Sequence, residues 1–103
     1  MPFEKRRAAF LERAEKRMAE LDSEIGRLKD DAADRSRELS AEGKEGLDRA
    51  IMTLEKRRAE TRQLMTEASQ ATSERWEYVK GSTSNALQSV ADATADAWKR
   101  LRR

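Results

Sequence analysis

The chain has no cysteine and no histidine, a single proline and only four glycines in 103 residues. Without thiols it forms neither a disulfide nor a thiolate metal site, an absence that fits a reducing compartment. Without imidazole it lacks the side chain that ordinarily gains and loses a proton near neutral pH. A catalytic group would have to be a carboxylate, a lysine, a Ser or Thr hydroxyl, or Tyr78. Apolar residues are also scarce, at 37% of the chain against 41% charged, with two tryptophans, two phenylalanines and one tyrosine. That is little for a compact globular core but enough for long helices, each of which needs only one apolar face. The longest apolar run, Ala8-Ala9-Phe10-Leu11, is too short for a signal-peptide core or a membrane span. The expected location is therefore cytoplasmic, with peripheral membrane association as the alternative.

An excess of charge of one sign is missing too. The 22 basic and 20 acidic residues nearly cancel, so no strong overall field favours nucleic acid, which is not an expected partner. Short basic clusters at Lys5-Arg6-Arg7, Lys56-Arg57-Arg58 and Lys99-Arg100-Leu101-Arg102-Arg103 could touch phosphates, but each has acidic neighbours or lies at a terminus. Asp30-Asp31 and Asp34 with Glu38 read as the solvated face of a charged helix. No phosphate-binding glycine loop or calcium-loop spacing is present, and no cofactor, metal or small-molecule substrate is expected.

What the chain does have is helical periodicity. Pro2 suits a first helical turn, and Glu4 complements the dipole there. Leu11, Ala14, Met18, Leu21, Ile25, Leu28, Ala32 and Leu39 then follow as a heptad seam weakened by Ala14, Ala32 and Arg35. Ser40 to Gly46 breaks the rhythm and holds two glycines, which predicts a helix-to-helix turn. A continuous helix is the other reading, since glycine costs only about 1 kcal/mol relative to alanine. Gly81-Ser82-Thr83-Ser84-Asn85 is a second weak point. The expected architecture is all-α: a long antiparallel hairpin of a charged heptad helix over 1–42, a turn at 43–46 and a second helix over 47–80. An amphipathic segment over 81–103 then either extends the second helix or folds back.

The strongest pattern lies in the second half. Leu54, Met65, Trp76, Leu87 and Trp98 recur every eleven residues, shadowed by Ala68, Val79, Val90 and Leu101. Eleven residues complete three helical turns, so both ladders mark one nearly straight stripe. On the C-terminal part the opposite side carries Ser84, Asn85, Gln88, Ser89, Asp92 and Asp96. Such a helix packs on the first helix or on a second copy of the chain, or else lies in a bilayer interface. Trp76, Val79, Leu87, Val90, Trp98 and Leu101 are the candidate interaction residues.

The run Trp76-Glu77-Tyr78-Val79-Lys80-Gly81, followed by Ala86, Val90, Ala93, Ala97 and Leu101, resembles the C-terminal signature of small bacterial coiled-coil stress-response proteins. That family pattern places its glycine where this chain has Ser82 and a second aromatic where it has Leu87; Trp98 can stand in for the missing ring. The resemblance implies a non-enzymatic helical protein with no catalytic residues to carry over. In pattern alone the tail is also similar to exchangeable apolipoproteins and polymer-granule coat proteins. The expected function is that of a binding or scaffold protein, stress-associated and self-associating through the stripe, with a homo-oligomer or another protein as partner. The alternative is a lipid-surface protein that uses residues 76–103.

Overall fold

The computed structural model describes residues 2–102; Arg103, part of the basic C-terminal cluster, lies outside the described residues. Three helices account for nearly all of it: α1 (Phe3–Arg35), α2 (Ala41–Gln70) and α3 (Trp76–Leu101). Together they form a rod of 54 × 18 × 16 Å. Its length is set by α1, whose 33 residues rise about 1.5 Å each. The expected all-α, hairpin-like fold is what the chain adopts. α1 and α2 run antiparallel, and α3 folds back against both.

The helix limits differ from the expected ones at both reversals. The first reversal lies at residues 36–40, ahead of the predicted 43–46 turn, where Ser36–Glu38 makes a 3-10 turn and Leu39 is extended. Ser40 then caps α2, its hydroxyl accepting from the Gly43 N–H at 3.0 Å. Gly43 and Gly46 therefore sit inside α2. Gly46 has a packing reason to be there, because a Cβ would come within 3.2 Å of the Arg100 guanidinium from α3.

The second reversal, at residues 71–75, divides the predicted 47–80 helix and contains neither glycine nor proline. Ala71 turns extended, at φ −67° and ψ 139°, and the Arg75 N–H closes a turn onto the Thr72 carbonyl at 3.2 Å. The Arg7 guanidinium donates to the Ala71 carbonyl at 2.7 Å, so α1 satisfies the end of α2. A helix running straight on through residue 101 would leave its apolar stripe in water. Reversal buries Trp76, Val79, Val90 and Leu101, each large apolar side chain contributing about 1.5–3 kcal/mol. The few helical hydrogen bonds given up are worth only about 0.5–1.5 kcal/mol each, so reversal wins. The eleven-residue ladder is thereby cut into two stripes that face one another across the core.

That core runs the length of the rod. Ala14, Met18, Leu21, Ile25 and Leu28 of α1 are buried, as the heptad seam predicts; Phe10, outside that seam, is buried in place of Leu11, and Leu47, Leu54 and Met65 of α2 complete the core. Leu11, Ala32 and Leu39 pack at its edge, half-buried. The helices are held in two different ways. Small residues let α2 and α3 approach closely, whereas α1 and α2 stand further apart, bridged by long side chains. Asp22 of α1 pairs with Arg58 and Arg62 of α2, and Lys29 pairs with Glu55.

Gly81 is not a hinge, since α3 passes through it without interruption, and a Cβ there would meet no atom within 4 Å. Gly81→Ala is expected to stabilise the fold by about 0.5–1 kcal/mol, raising the thermal midpoint by roughly 2–8 °C. Gly46→Ala, whose new methyl would crowd Arg100, should gain less. Thermal denaturation followed by circular dichroism reads both.

Candidate functional site

The six predicted interaction residues all lie on α3, and the fold places them unequally. Trp76, Val79, Val90 and Leu101 are buried in the chain's own core, between 0% and 6% exposed. Leu87 and Trp98 are half-buried at its edge, and the Trp98 ring carries the Arg102 guanidinium 5.8 Å from its centroid. The stripe is therefore covered largely by the protein itself, and only its margin faces solvent.

Its lower end is an aromatic cluster. Trp76 receives Phe10 at 5.4 Å and Phe3 at 5.8 Å between ring centroids, both edge to face. Such pairs add about 0.5–1.5 kcal/mol beyond the area they bury. Arg7 lies over the Phe3 ring at 5.1 Å while bonding Ala71. Neither phenylalanine falls in the second-half ladder, so the ladder gave no sign of what would cover Trp76.

Three threonines are buried along α2 and α3, and each is satisfied by a carbonyl one turn back in its own helix. Thr61 donates to Arg57 at 2.7 Å, Thr83 to Val79 at 2.9 Å and Thr94 to Val90 at 2.8 Å. Thr61 also lies 3.3 Å from the Ala86 carbonyl of α3, and Thr83 3.5 Å from the Leu64 carbonyl of α2. One hydroxyl proton serves one acceptor at a time, so the cross-helix contacts are secondary. Among the described residues no buried side-chain polar atom lacks a partner.

Two solvent-open grooves follow the seams of α3. One of about 490 Å³ lies against α2, floored by Gly46, Ala50 and Ala93 and edged by Arg49, Arg57 and Asp92. The other, of about 270 Å³, lies against the start of α1, between Arg6, Arg13 and Lys80, with Phe10 and Trp76 as its apolar wall and Glu77 beside it. Arg6 belongs to a basic cluster noted in the sequence; Arg13 and Lys80 do not, and only the α1–α3 packing brings the three together. Among the described residues no group of carboxylates could hold a metal ion, and no helix is long and apolar enough to cross a membrane.

Comparison with protein-family models, with curated proteins and with solved structures gave no match.

The ion pairs between α1 and α2 carry the resolved shifts in proton affinity. The Lys29 ammonium, 2.5 Å from the Glu55 carboxylate, holds that carboxyl below its ordinary range, helped by Arg58 and opposed by burial. The Asp22 carboxylate holds the Arg58 guanidinium above its already high value. A folded pKa below the unfolded one stabilises the fold fully above the unfolded value, roughly 4.3 for glutamate, and the gain is lost as pH falls through the folded value. Glu55 is a third exposed, so water and salt keep the effect small. Urea midpoints measured from neutral pH down through pH 3 should fall less steeply for Glu55→Gln than for the parent, and added salt should narrow the difference.

Proposed function

We propose that this protein is a non-enzymatic binding or scaffold protein of the stress-associated coiled-coil kind, and that it associates with a second copy of itself through α3. The observation that carries this reading is the asymmetry of α3. Leu87 and Trp98 remain half-buried at the edge of the core. Beside them run Ser84, Asn85, Gln88 and Ala95, exposed and uncharged. The outward faces of α1 and α2 are instead crowded with Lys, Arg, Asp and Glu. Interface centres are depleted of charge and enriched in aromatics, which favours this margin over the charged outward face of α1.

A second reading, binding to a lipid surface, is supported by the way α1 covers the stripe. α1 meets α2 across the wider gap, and the bridging ion pairs are partly exposed. Such pairs contribute only about 0.2–1 kcal/mol each. Swinging α1 away would bare the side of the α2–α3 pair that it covers, beginning with Trp76, which would lose Phe3 and Phe10.

Sedimentation velocity of the full chain tests the first reading. An oligomer is expected whose mass drops in Leu87→Ser/Trp98→Ser while circular dichroism stays helical; a parent that is monomeric at every concentration would reject it. For the second, the absence of cysteine allows Lys29→Cys/Glu55→Cys to be joined selectively by a bismaleimide. The unjoined form should float with phosphatidylcholine vesicles and the joined form should not. Equal flotation, or none, would rule out opening of the bundle.

A further inference from the structure

The groove between the start of α1 and the start of α3 has no role in either of those readings. Arg6 and Arg13 lie seven residues apart, two turns of α1, and so flank the groove about 10 Å from one another. Lys80 faces them from α3. Among the described residues none of these three cations forms an ion pair. Arg7, next in sequence, is committed to Ala71 and Phe3 instead. Glu77 is the one carboxylate lining the groove, which leaves an excess of two positive charges around it. Behind the cations the wall is apolar, formed by Ala9, Phe10 and Trp76. Repulsion between exposed cations this far apart is small in water, so what the arrangement offers an anion is three unpaired donors converging on one groove.

We propose that this groove binds a phosphate monoester carried on an apolar body, as in the headgroup of phosphatidic acid. A monoester carries about 1.5–2 negative charges at neutral pH, which matches the local excess. Two guanidiniums supply forked donors for its oxygens, and the ammonium adds a point charge. The groove, about 270 Å³, is at the small end of ligand sites and suits a headgroup rather than a larger molecule. Phe10 and Trp76 are 8% and 3% exposed, so the ligand's adjoining carbons meet only their edges and Ala9. This inference does not rest on opening of the bundle, because the groove exists with all three helices packed.

The test uses the full chain carrying Trp98→Phe, so that Trp76, in the wall of the groove, is the sole fluorophore. Vesicles of phosphatidylcholine containing phosphatidic acid are expected to change its emission saturably. The apparent affinity should fall by at least about tenfold in Arg6→Gln/Arg13→Gln/Lys80→Gln. These side chains are exposed or half-exposed, so helicity should be kept; Arg13→Gln alone, with a smaller loss, serves if it is not. A saturable response to inorganic phosphate without vesicles, lost in the triple variant, would support the site with soluble phosphate as its source. No response to either probe, or an equal response in the triple variant, would overturn the proposal. So would equally tight, cation-dependent binding of a single-stranded oligonucleotide, which would point to a phosphodiester backbone. The bismaleimide-joined protein separates this site from the stripe, since groove binding must survive the cross-link that abolishes opening.

Discussion

The burial of Trp76 between Phe3 and Phe10 ties the beginning of α1 to the beginning of α3. Because α3 begins where α2 has just ended, the same contact fixes the reversal at residues 71–75. Arg7, bonding Ala71 from the turn of α1 between the two phenylalanines, secures the remaining end. The register of all three helices is thus set within one short length of the rod. From there the heptad seam of α1 and the two facing stripes of α2 and α3 need only continue in phase. The aromatic edges supply geometry that aliphatic packing alone would leave loose.

Above that cluster the bundle is unequal. α2 and α3 meet through small residues and buried threonines, so they form a close pair that lacks strong charges at its centre. α1 meets α2 through long side chains and through carboxylates and guanidiniums that water still reaches. If any helix leaves while the others stay paired, it is α1. Its departure would forfeit the buried Met18, Leu21, Ile25 and Leu28 contacts, about 1.5–3 kcal/mol apiece before any lipid or partner repays them. Opening in water alone is therefore rare, and a ligand must bind the open form far more tightly to populate it.

Much of this was legible beforehand and some was not, for identifiable reasons. The seam from Ala14 to Leu28 and the buried faces at Leu54, Met65, Val79 and Val90 are direct products of periodicity, which core burial enforces. Glycine content marks residues 40–46 and 81–85 as weak points, yet the chain reverses at none of these glycines. Gly43 and Gly46 are accommodated in α2 because Ser40 caps it and Arg100 packs on Gly46, while Gly81 lies in an uninterrupted α3. The true second reversal is built from Ala71, Thr72 and their neighbours, with its carbonyl satisfied by an arginine 64 residues away. No local signal announces such a partner. An eleven-residue repeat survives the reversal because both helices must present apolar residues inward, so the phase of a pattern does not prove one continuous helix. The basic groove was invisible for a similar reason, since Arg6, Arg13 and Lys80 are neighbours only after α3 folds back.

The location of the stripe changes what recognition by this protein can mean. A free amphipathic helix binds at once and weakly, limited by the cost of ordering it. Here α3 is already ordered, so a partner that reads only its margin, Leu87 and Trp98 with the uncharged row beside them, has no folding cost to meet but little apolar area to gain. A partner that reads the part of the core beneath α1 gains that area only after displacing α1, and so must compensate for a buried seam as well as its own ordering. The first mode suits fast, reversible association; the second suits a surface present in large excess, such as a membrane, which can outcompete an intramolecular helix by mass action. The phosphate groove offers a way to couple the two. A ligand gripping Arg6 and Arg13 on α1 and Lys80 on α3 binds the closed bundle and, by linkage, opposes the opening that frees the stripe.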